Sequence, residues 1–376
     1  FLSLTRQLVR QLHLAPGAAA GDGTVIEAAA SHYRLLKADA AREAAARAPD
    51  DARAQAAAAA ATAREAERRA HGRDGETTRV SPSEPEAVVQ PLKNGARRPS
   101  YKPSALAHET GLIVGQVVEP SDEGAAVAPL LAQHQAIMGA PPVRTLLDAG
   151  YHQLEVLGWF VAAELDVLCP AGKADRGVWE KAGAGGKHGK ARFAYDQEHD
   201  EYICPAGQRL SPGGRGKDRG GRRFREYGGA PCPACPQRDR CTTNRHGRII
   251  KRYEGDELKE AMTQVLEQPR ARRAYRRRKA MIEPVFAALR ERQGLTRFHR
   301  RGLAGVRLEF ALHCLAYNLG RALRGPADLN PPFWRLNLAF WPAARAVMAI
   351  FVVRPFRWSP RLYAGVIVAY YRKSRP

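Results

Sequence analysis

The sequence predicts an α/β fold in which a mixed sheet is flanked by helices and interrupted by two insertions. Three observations predict it. Between residues 101 and 170, short apolar runs typical of strands alternate with amphipathic helical stretches. Residues 34–72 are rich in Ala, Arg and Glu, which are strong helix formers, but have few large apolar side chains to anchor a core. Residues 170–250 are basic, rich in Gly and Pro, and carry four of the six cysteines.

The first hundred residues are predicted to form a helix and a strand of the core, followed by a segment outside the core. Apolar positions at helical spacing predict a helix over residues 1–14. Gly21–Gly23 are interpreted as a turn, and Thr24–Ala28 as a short strand. One or two solvated helices are expected within residues 34–72, followed by a loop or linker over residues 73–100.

The next segment carries the α/β pattern. Its five predicted elements are a hairpin at 101–118 with its turn near Thr110–Gly111, a helix at 124–138, a strand at 143–148, an amphipathic helix at 153–164 and a strand at 165–169. From Asp256 the helical pattern returns and persists to about Arg324. Strands that alternate with helices in this order favour one layered α/β domain.

We therefore divide the chain into six regions. These are 1–33 (helix and first core strand), 34–100 (helical insertion and linker), 101–170 (core strands and helices), 171–255 (Cys-rich basic insertion), 256–324 (core helices) and 325–376 (a tail of unknown role). The chain opens with Phe1 rather than an initiator Met, which indicates a fragment or an unusual start.

The charge of the chain predicts a polyanionic partner. Lys and Arg number 60 against 38 Asp and Glu, a formal net charge of +22. Nucleic acid is the simplest partner for such a surface, although a ribosomal-type or merely soluble basic protein has the same composition. The excess is dense in residues 271–301, where eleven basic residues face two acids, so DNA binding should weaken steeply with salt. A solvated charged face is the alternative.

No membrane segment or signal peptide is predicted, which favours a cytoplasmic location. The apolar stretch Leu338–Val353 contains Pro342 and Arg345, and it is shorter than the roughly twenty apolar residues that span a bilayer. A buried helix is the favoured interpretation, with a membrane-surface helix as the alternative.

Three acidic residues lie beside or at the end of predicted strands or within a predicted long helix. Asp22 lies beside the first predicted strand, Asp148 closes the strand VRTLLD, and Glu283 lies in a helix. Carboxylates from such positions could converge and bind Mg²⁺ through hard oxygen ligands, and two ions about 4 Å apart could clamp a phosphodiester displacement. A single Asp at a strand end is more often a cap or turn residue.

The motifs around these acids resemble those of DDE-type transposases of bacterial insertion sequences. The resemblance is carried, in order, by DGTVIEAAAS, LLDAGYHQLEVL and YRRRKAMIEPVFAALRERQGLTRFHRRGL. Residues 193–210 and 231–241 also resemble the Cys-containing insertion of one branch. The resemblance, carried by three ordered motifs and the insertion, covers residues 1 to about 324.

The resemblance implies an RNase H-like core and a polynucleotidyl transferase. Asp22, Asp148 and Glu283 would bind two Mg²⁺ (or Mn²⁺) ions, and the reaction would be nicking at an element end followed by strand transfer. The partners would be the double-stranded DNA of the element ends and the target, bound by a homodimer at the bacterial nucleoid. A truncated, catalytically silent DNA-binding remnant is the second hypothesis.

The resemblance also implies DNA contacts along the third motif. Tyr275 and Arg278 precede Glu283, and Arg290 follows it where the family often has Lys. Four residues rather than three separate Arg278 from Glu283, so the helical phase departs from the best-known spacing by about 100°. His299, Arg300 and Arg301 in FHRRG are further candidates for phosphate contact, with a plain surface residue as the alternative for His299.

The cysteines form a second constellation. Cys232 and Cys235 have the two-residue spacing of a zinc half-site, and Cys204 and Cys241 could complete a tetrahedral structural Zn²⁺ site, with His246 as a reserve ligand. Free thiols in a basic loop are the alternative. The other two cysteines, Cys169 and Cys314, are predicted to be buried core thiols.

Overall fold

A computed structural model describes residues 1–70, 72–172, 188–218, 221–229 and 232–324. Its helices are α1 (Leu2–Gln11), α2 (Ala38–Arg47), α3 (Ala52–Ala70), α4 (Val127–Met138), α5 (Leu154–Ala162), α6 (Asp256–Glu267), α7 (Pro269–Ala287) and α8 (Gly302–Arg324). The predicted tail, with the apolar stretch Leu338–Val353, lies outside the described residues. Across the described ranges, none of the helices combines the length and apolarity needed to cross a membrane.

The strands form three sheets. They are β1 (Ala18–Gly23), β2 (Ile26–Glu27), β3 (Leu36–Lys37), β4 (Arg79–Val80), β5 (Val88–Pro91), β6 (Arg97–His108), β7 (Ile113–Glu119), β8 (Arg144–Leu146), β9 (Val167–Leu168), β10 (Ala194–Asp196), β11 (Glu201–Ile203), β12 (Arg209–Lys217), β13 (Arg223–Gly228) and β14 (Ile250–Tyr253). Together with the helices they make the mixed α/β fold that the sequence predicts.

The central sheet has its long strand β6 between β7 and β1, and the order continues through β8 to β9. Strand β6 is antiparallel to both of its long neighbours, whereas β1, β8 and β9 are parallel to one another. It follows that β1, β7, β8 and β9 all run in the same direction. Their carboxyl ends therefore meet at one edge of the sheet, which is where ligands bind in many α/β proteins.

Helices cover both faces of this sheet. Leu146 belongs to the apolar layer beneath α7 and α8, and the next residue, Leu147, belongs to the layer beneath α1, α4 and α5. The switch follows from the two-residue period of a strand, whose successive side chains point to opposite faces. The hairpin and the helices and strands predicted between residues 101 and 170 are confirmed.

The predicted turn at Gly21–Gly23 is wrong. These residues end strand β1, and they pair with Leu106, Ala105 and Ser104 of β6. Strand β1 lies between β6 and β8, and a Cβ added at Gly21 would lie 2.6 Å from a methyl carbon of Leu147. The small residues that resemble a turn in the sequence are there because the neighbouring layer leaves no space for larger ones.

The helices predicted within residues 34–72 are confirmed as α2 and α3, which pack on each other through alanines such as Ala41, Ala57 and Ala61. We call these two helices and the segment that follows them the helical insertion. Residues 73–100, interpreted as a loop or linker, instead contain β4, β5 and the start of β6. Strand β5 pairs with β6 and thereby ties the insertion to the central sheet.

The cysteine-containing segment has a small fold of its own, which we call the Cys lobe (the described residues from 188 to 253). Strands β10 to β14 form an antiparallel five-stranded sheet. Its core is a group of buried aromatic and aliphatic side chains, namely Phe193, Tyr202, Leu210, Tyr227 and Ile250.

Candidate active site at the edge of the central sheet

Two of the predicted acids lie side by side at the carboxyl edge of the central sheet. Asp22 is in the last part of β1, and its Oδ1 accepts a hydrogen bond from the Gly23 amide at 2.9 Å. Asp148 follows β8, the parallel neighbour of β1, and its Oδ1 accepts from the Gly150 amide at 2.8 Å. The parallel pairing of β1 with β8 therefore brings together two acids that are far apart in sequence.

Arg278 of helix α7 joins these two carboxylates. Its Nη2 lies 3.1 Å from Asp22 Oδ1 and 4.0 Å from Asp148 Oδ2, and it donates to the Gly21 carbonyl oxygen at 3.3 Å. The residue is only 7% exposed, and its buried Nε has no hydrogen-bond partner among the described residues. A guanidinium in such a position supplies positive charge that bulk water screens only weakly.

Burial raises the pKa of the Asp22 carboxyl to about 6, since removal from water disfavours the charged form. Arg278 opposes this rise, while the negative charges of Asp148 and Glu123 add to it. The guanidinium of Arg278 thus partly neutralises the two strand-end carboxylates. Carboxylate oxygens are also the ligand type that divalent cations such as Mg²⁺ prefer.

Glu123 is a third carboxylate at this edge, which sequence reasoning missed. A Cβ added at Gly150 would lie 3.0 Å from Glu123 Oε2 and 3.1 Å from Asp148 Oδ1, so the two oxygens border one small space. The other oxygen, Glu123 Oε1, pairs with Lys102 Nζ at 3.2 Å. Glu123 follows β7, and the shared direction of β7, β1 and β8 could have pointed to it. We call Asp22, Asp148 and Glu123 the acid cluster.

Glu283, the predicted third acid, is placed differently. Its side chain is 60% exposed, and its Oε1 lies 4.0 Å from Lys279 Nζ one turn earlier on α7. It follows Arg278 by five residues, a rotation of about 140° around a helix axis. The face of α7 that carries Arg278 to Asp22 is therefore not the face that carries Glu283, and its role as a ligand stays a prediction.

Two other residues of the third motif lie near the acids. Burial raises the pKa of Tyr275 to about 12, and Asp148 and Asp22 contribute to the rise. Arg290 is half-buried; burial lowers its pKa, and the negative charge of Asp22 opposes that effect. The negative charge of Asp22 thus acts on both side chains.

His299, Arg300 and Arg301 lie at the entrance to α8 and are exposed. The amides of His299 and Arg300 donate to the Glu309 carboxylate at 3.0 and 2.8 Å. Arg301 Nε donates to the Ala29 carbonyl oxygen at 3.2 Å. Contact of these three residues with DNA stays a prediction.

The four cysteines of the Cys lobe line one small cavity, together with His188. The amide of Gln208 donates to Cys204 Sγ at 3.3 Å, and the amide of Arg248 donates to Cys232 Sγ at 3.4 Å. Burial raises the pKa of Cys241, and the neighbouring thiols add to the rise. The predicted reserve ligand His246 is exposed, and it accepts a hydrogen bond from Arg245.

The remaining cysteines are buried core thiols, as predicted. Cys169 and Cys314 are both 0% exposed. Cys169 Sγ donates to the carbonyl oxygen of Asp148 at 3.0 Å, so this thiol packs directly beneath the acid cluster.

No group of three or more His, Cys, Asp or Glu side chains in the described ranges is spaced so that it could hold a metal ion. This holds for the acid cluster and for the thiols alike. In the acid cluster, the guanidinium of Arg278 lies between the two strand-end carboxylates.

Residues 203–323 match the family model of a transposase DDE domain. The matched range begins in the Cys lobe and includes Tyr275, Arg278 and Glu283, so the resemblance to DDE-type transposases is confirmed there. Asp22 and Asp148 lie before the matched range. A search among curated proteins found no match to the chain.

Proposed function

We propose that this chain is a DNA transposase that cleaves and joins phosphodiester bonds at the ends of an insertion sequence. The observation that carries the proposal is the acid pair Asp22 and Asp148, which shares the buried Arg278 at one edge of the sheet. Arg278 itself lies within the segment that matches a transposase DDE domain.

The residues present fit divalent metal ions by the chemistry of their donors, because carboxylate oxygens are the ligands that Mg²⁺ and Mn²⁺ prefer. Asp22 and Asp148 would hold two such ions, with Glu283 as the third ligand. When bound, the ions activate the attacking oxygen and stabilise the leaving oxygen of a phosphodiester displacement.

The chain's own residues would orient the DNA around these ions. Arg278 keeps the two strand-end carboxylates together, and its cation is positioned to attract a phosphate oxygen. Tyr275 and Arg290 would flank the cleaved bond, while His299, Arg300 and Arg301 would contact phosphates outside the site. A homodimer at the nucleoid, bound to both element ends and the target, completes the proposal.

We propose further that the fold is RNase H-like. Its support is the central sheet, in which three antiparallel strands, β7, β6 and β1, are followed by the parallel strands β8 and β9. In that arrangement, acids from β1 and β8 meet at the sheet edge and a later helix covers them, as α7 does here.

The Cys lobe is proposed to bind one structural Zn²⁺ through Cys204, Cys232, Cys235 and Cys241. Its support is their common cavity and the two amides that donate to sulfur, since such hydrogen bonds stabilise ligating groups. The four sulfurs would need to draw together around the ion. A four-thiolate site has no open position and would be structural.

The test is a nicking assay on a DNA duplex that carries an element end, with Mg²⁺ or Mn²⁺. Asp22→Asn, Asp148→Asn and Glu283→Gln should each abolish cleavage and leave DNA binding largely intact, because each amide keeps the volume and removes the charge. Glu267→Gln, an exposed acid at the end of α6, is the control and should cleave normally.

The outcomes separate the hypotheses. Normal cleavage by Glu283→Gln with none by Asp148→Asn would remove Glu283 from the ligand set and leave the strand-end acids in place. DNA binding by the unaltered chain without cleavage under either metal would instead identify the silent DNA-binding remnant.

A further inference from the structure

A wide groove runs between the helical insertion and the central domain. Its walls are α3, the segment 73–79, the β5–β6 hairpin and the first turns of α4 and α5. Its volume is about 1330 Å³. That exceeds the roughly 300–1,000 Å³ of ordinary small-molecule pockets, so the groove is suited to a segment of a polymer. We call it the insertion groove.

Among the charged residues that line the insertion groove, basic ones outnumber acidic ones. Six cationic side chains and three acidic ones line it; the cations are Arg64, Arg68, Arg73, Arg79, Arg97 and Lys102. Arg64 and Arg68 hydrogen-bond to backbone oxygens of Pro85 and Asp74 and so shape the wall. A groove with this balance attracts a phosphate backbone.

An aromatic ring stands on the same wall. Trp159 of α5 lines the groove and is 36% exposed, whereas Val156, Leu157 and Phe160 form the buried face of this helix. A basic groove that offers an exposed indole combines the two features by which proteins hold single-stranded nucleic acid. These are phosphate attraction and a flat surface on which an unpaired base can stack.

The groove leads directly to the acid cluster. Lys102 lines it and pairs with Glu123 at 3.2 Å. Gln153 also lines it, and its Nε2 donates to the carbonyl oxygen of Gly150 at 3.0 Å. The amide of the same Gly150 donates to Asp148 Oδ1. One hydrogen-bonded residue therefore separates the groove lining from a proposed metal ligand.

We propose that the insertion groove binds a single strand of DNA next to the bond that reacts at the acid cluster, with an unpaired base stacked on Trp159. The inference rests on the proposed function for the identity of its ligand. In this proposal the helical insertion forms one wall of the groove that holds the DNA strand. The basic helix α7 does not line this groove.

The first test measures binding without any divalent metal, in the full chain carrying Asp148→Asn, so that loss of catalysis cannot affect the result. The probes are a fluorescent single-stranded oligonucleotide and a duplex of the same sequence, titrated at several salt concentrations. Arg73→Gln with Arg97→Gln removes two exposed groove cations. Arg47→Gln with Arg53→Gln removes two exposed cations from the insertion outside the groove.

We expect the groove pair to weaken single-strand binding about tenfold and to lower the salt slope by about 1.4, which corresponds to two single-strand phosphates. The control pair should leave both quantities nearly unchanged. Equal losses in the two pairs, or a loss confined to the duplex, would overturn the assignment of a single strand to this groove.

The second test concerns the indole ring of Trp159. Trp159→Ala should weaken single-strand binding at least about fivefold, which corresponds to the lower limit of the free energy for stacking one base on an aromatic ring. Trp159→Phe should keep most of the affinity. An oligonucleotide with 5-iodouracil should crosslink to α5 or α3 in the unaltered chain. Crosslinks confined to α7 and α8 would overturn the proposal even if a variant were unstable, and they would leave the proposed transposase activity standing.

Discussion

The acid cluster and the cysteine cavity are both candidate metal sites, but they are assembled in different ways. The acids come from the ends of β1 and β8 and from the loop after β7, and a buried arginine from α7 joins two of them. The thiols all lie within residues 204–241, in one small sheet domain, and backbone amides donate to two of them. The first site requires the whole central domain, whereas the second requires only local structure.

The two modes of assembly predict how each site responds to substitution and to metal ions. Carboxylate oxygens are hard ligands that suit Mg²⁺ or Mn²⁺, and thiolates are soft ligands that suit Zn²⁺. A catalytic site exchanges ions and substrate, while a four-thiolate site is closed. The two sites should therefore separate cleanly by metal, by thiol chemistry and by the effect of single substitutions.

Metal removal should give the largest effect. Dialysis against EDTA should abolish strand cleavage, and added Mg²⁺ or Mn²⁺ should restore it, because the acid cluster offers only oxygen ligands. Added Zn²⁺ alone should not restore cleavage. A nicking assay together with metal analysis of the dialysed protein makes the measurement. Recovery of cleavage with Zn²⁺ but not with Mg²⁺ would contradict the assignment of Mg²⁺ or Mn²⁺ to the acid cluster.

Thiol reactivity should divide the six cysteines into two groups. Burial raises the pKa of Cys169 to about 12, and it also raises the pKa of Cys314. In the native, metal-free protein we expect these two thiols to react about a hundredfold or more slowly than those of the Cys lobe, since the thiolate is the reactive form. Added Zn²⁺ should protect the lobe thiols. Mass spectrometry after timed alkylation measures each site, and undiminished alkylation in Zn²⁺ would argue for free thiols.

Arg278→Gln should destabilise the central domain by about 3 kcal/mol, because it leaves two neighbouring carboxylates without their buried cation. Arg277→Gln is a matched control on the same helix. Arg277 is 61% exposed and pairs with Glu109 at 2.9 Å, an exposed ion pair worth about 1 kcal/mol or less. Urea unfolding measures both, and added Mg²⁺ should recover part of the loss in Arg278→Gln alone. Equal losses in the two variants would contradict the special role of Arg278.

Glu123→Gln should give the smallest effect. This substitution removes one negative charge beside Asp148, so the apparent affinity for Mg²⁺ in the cleavage assay should fall about tenfold. A tenfold loss is at the lower end of the effects seen when a group that orients a metal ligand is replaced. High Mg²⁺ should restore the rate. Asp122→Asn, the exposed neighbour whose Oδ1 accepts from the Gly124 amide, should leave the affinity nearly unchanged. A total loss of cleavage at all Mg²⁺ concentrations would make Glu123 a direct ligand instead.

The sequence predicted the elements that have a strong apolar signal. The helices α4 and α5 bury residues that recur at helical spacing, whereas the hairpin β6–β7 and the strand VRTLLD are apolar runs buried on both faces. Strand β1 has no such signal, since its buried residues are two alanines and one glycine. Small residues selected by close packing cannot be distinguished from turn residues in sequence alone.

Within the site, motif order located Asp22 and Asp148 but could not give their surroundings. Arg276, Arg277, Arg278 and Lys279 run consecutively, and nothing in that run shows which one faces inward. Packing of α7 against the central sheet makes Arg278 the buried one. Glu123 was missed because it lies in a polar loop, and only the strand directions bring it beside Asp148.

One contact joins segments near the two ends of the described chain, and it sets when the central domain can first be completed. Asn318 of α8 bonds to both the amide nitrogen and the carbonyl oxygen of Ile113, and it lies 3.4 Å from Thr5 Oγ1, 313 residues earlier in sequence. Arg278 likewise reaches Gly21 from 257 residues away. A ribosome adding about 5–20 residues per second would need on the order of ten seconds or more to make that much chain. The acid cluster therefore gains its buried cation only after α7 has been synthesised, long after β1 and β8 have left the ribosome.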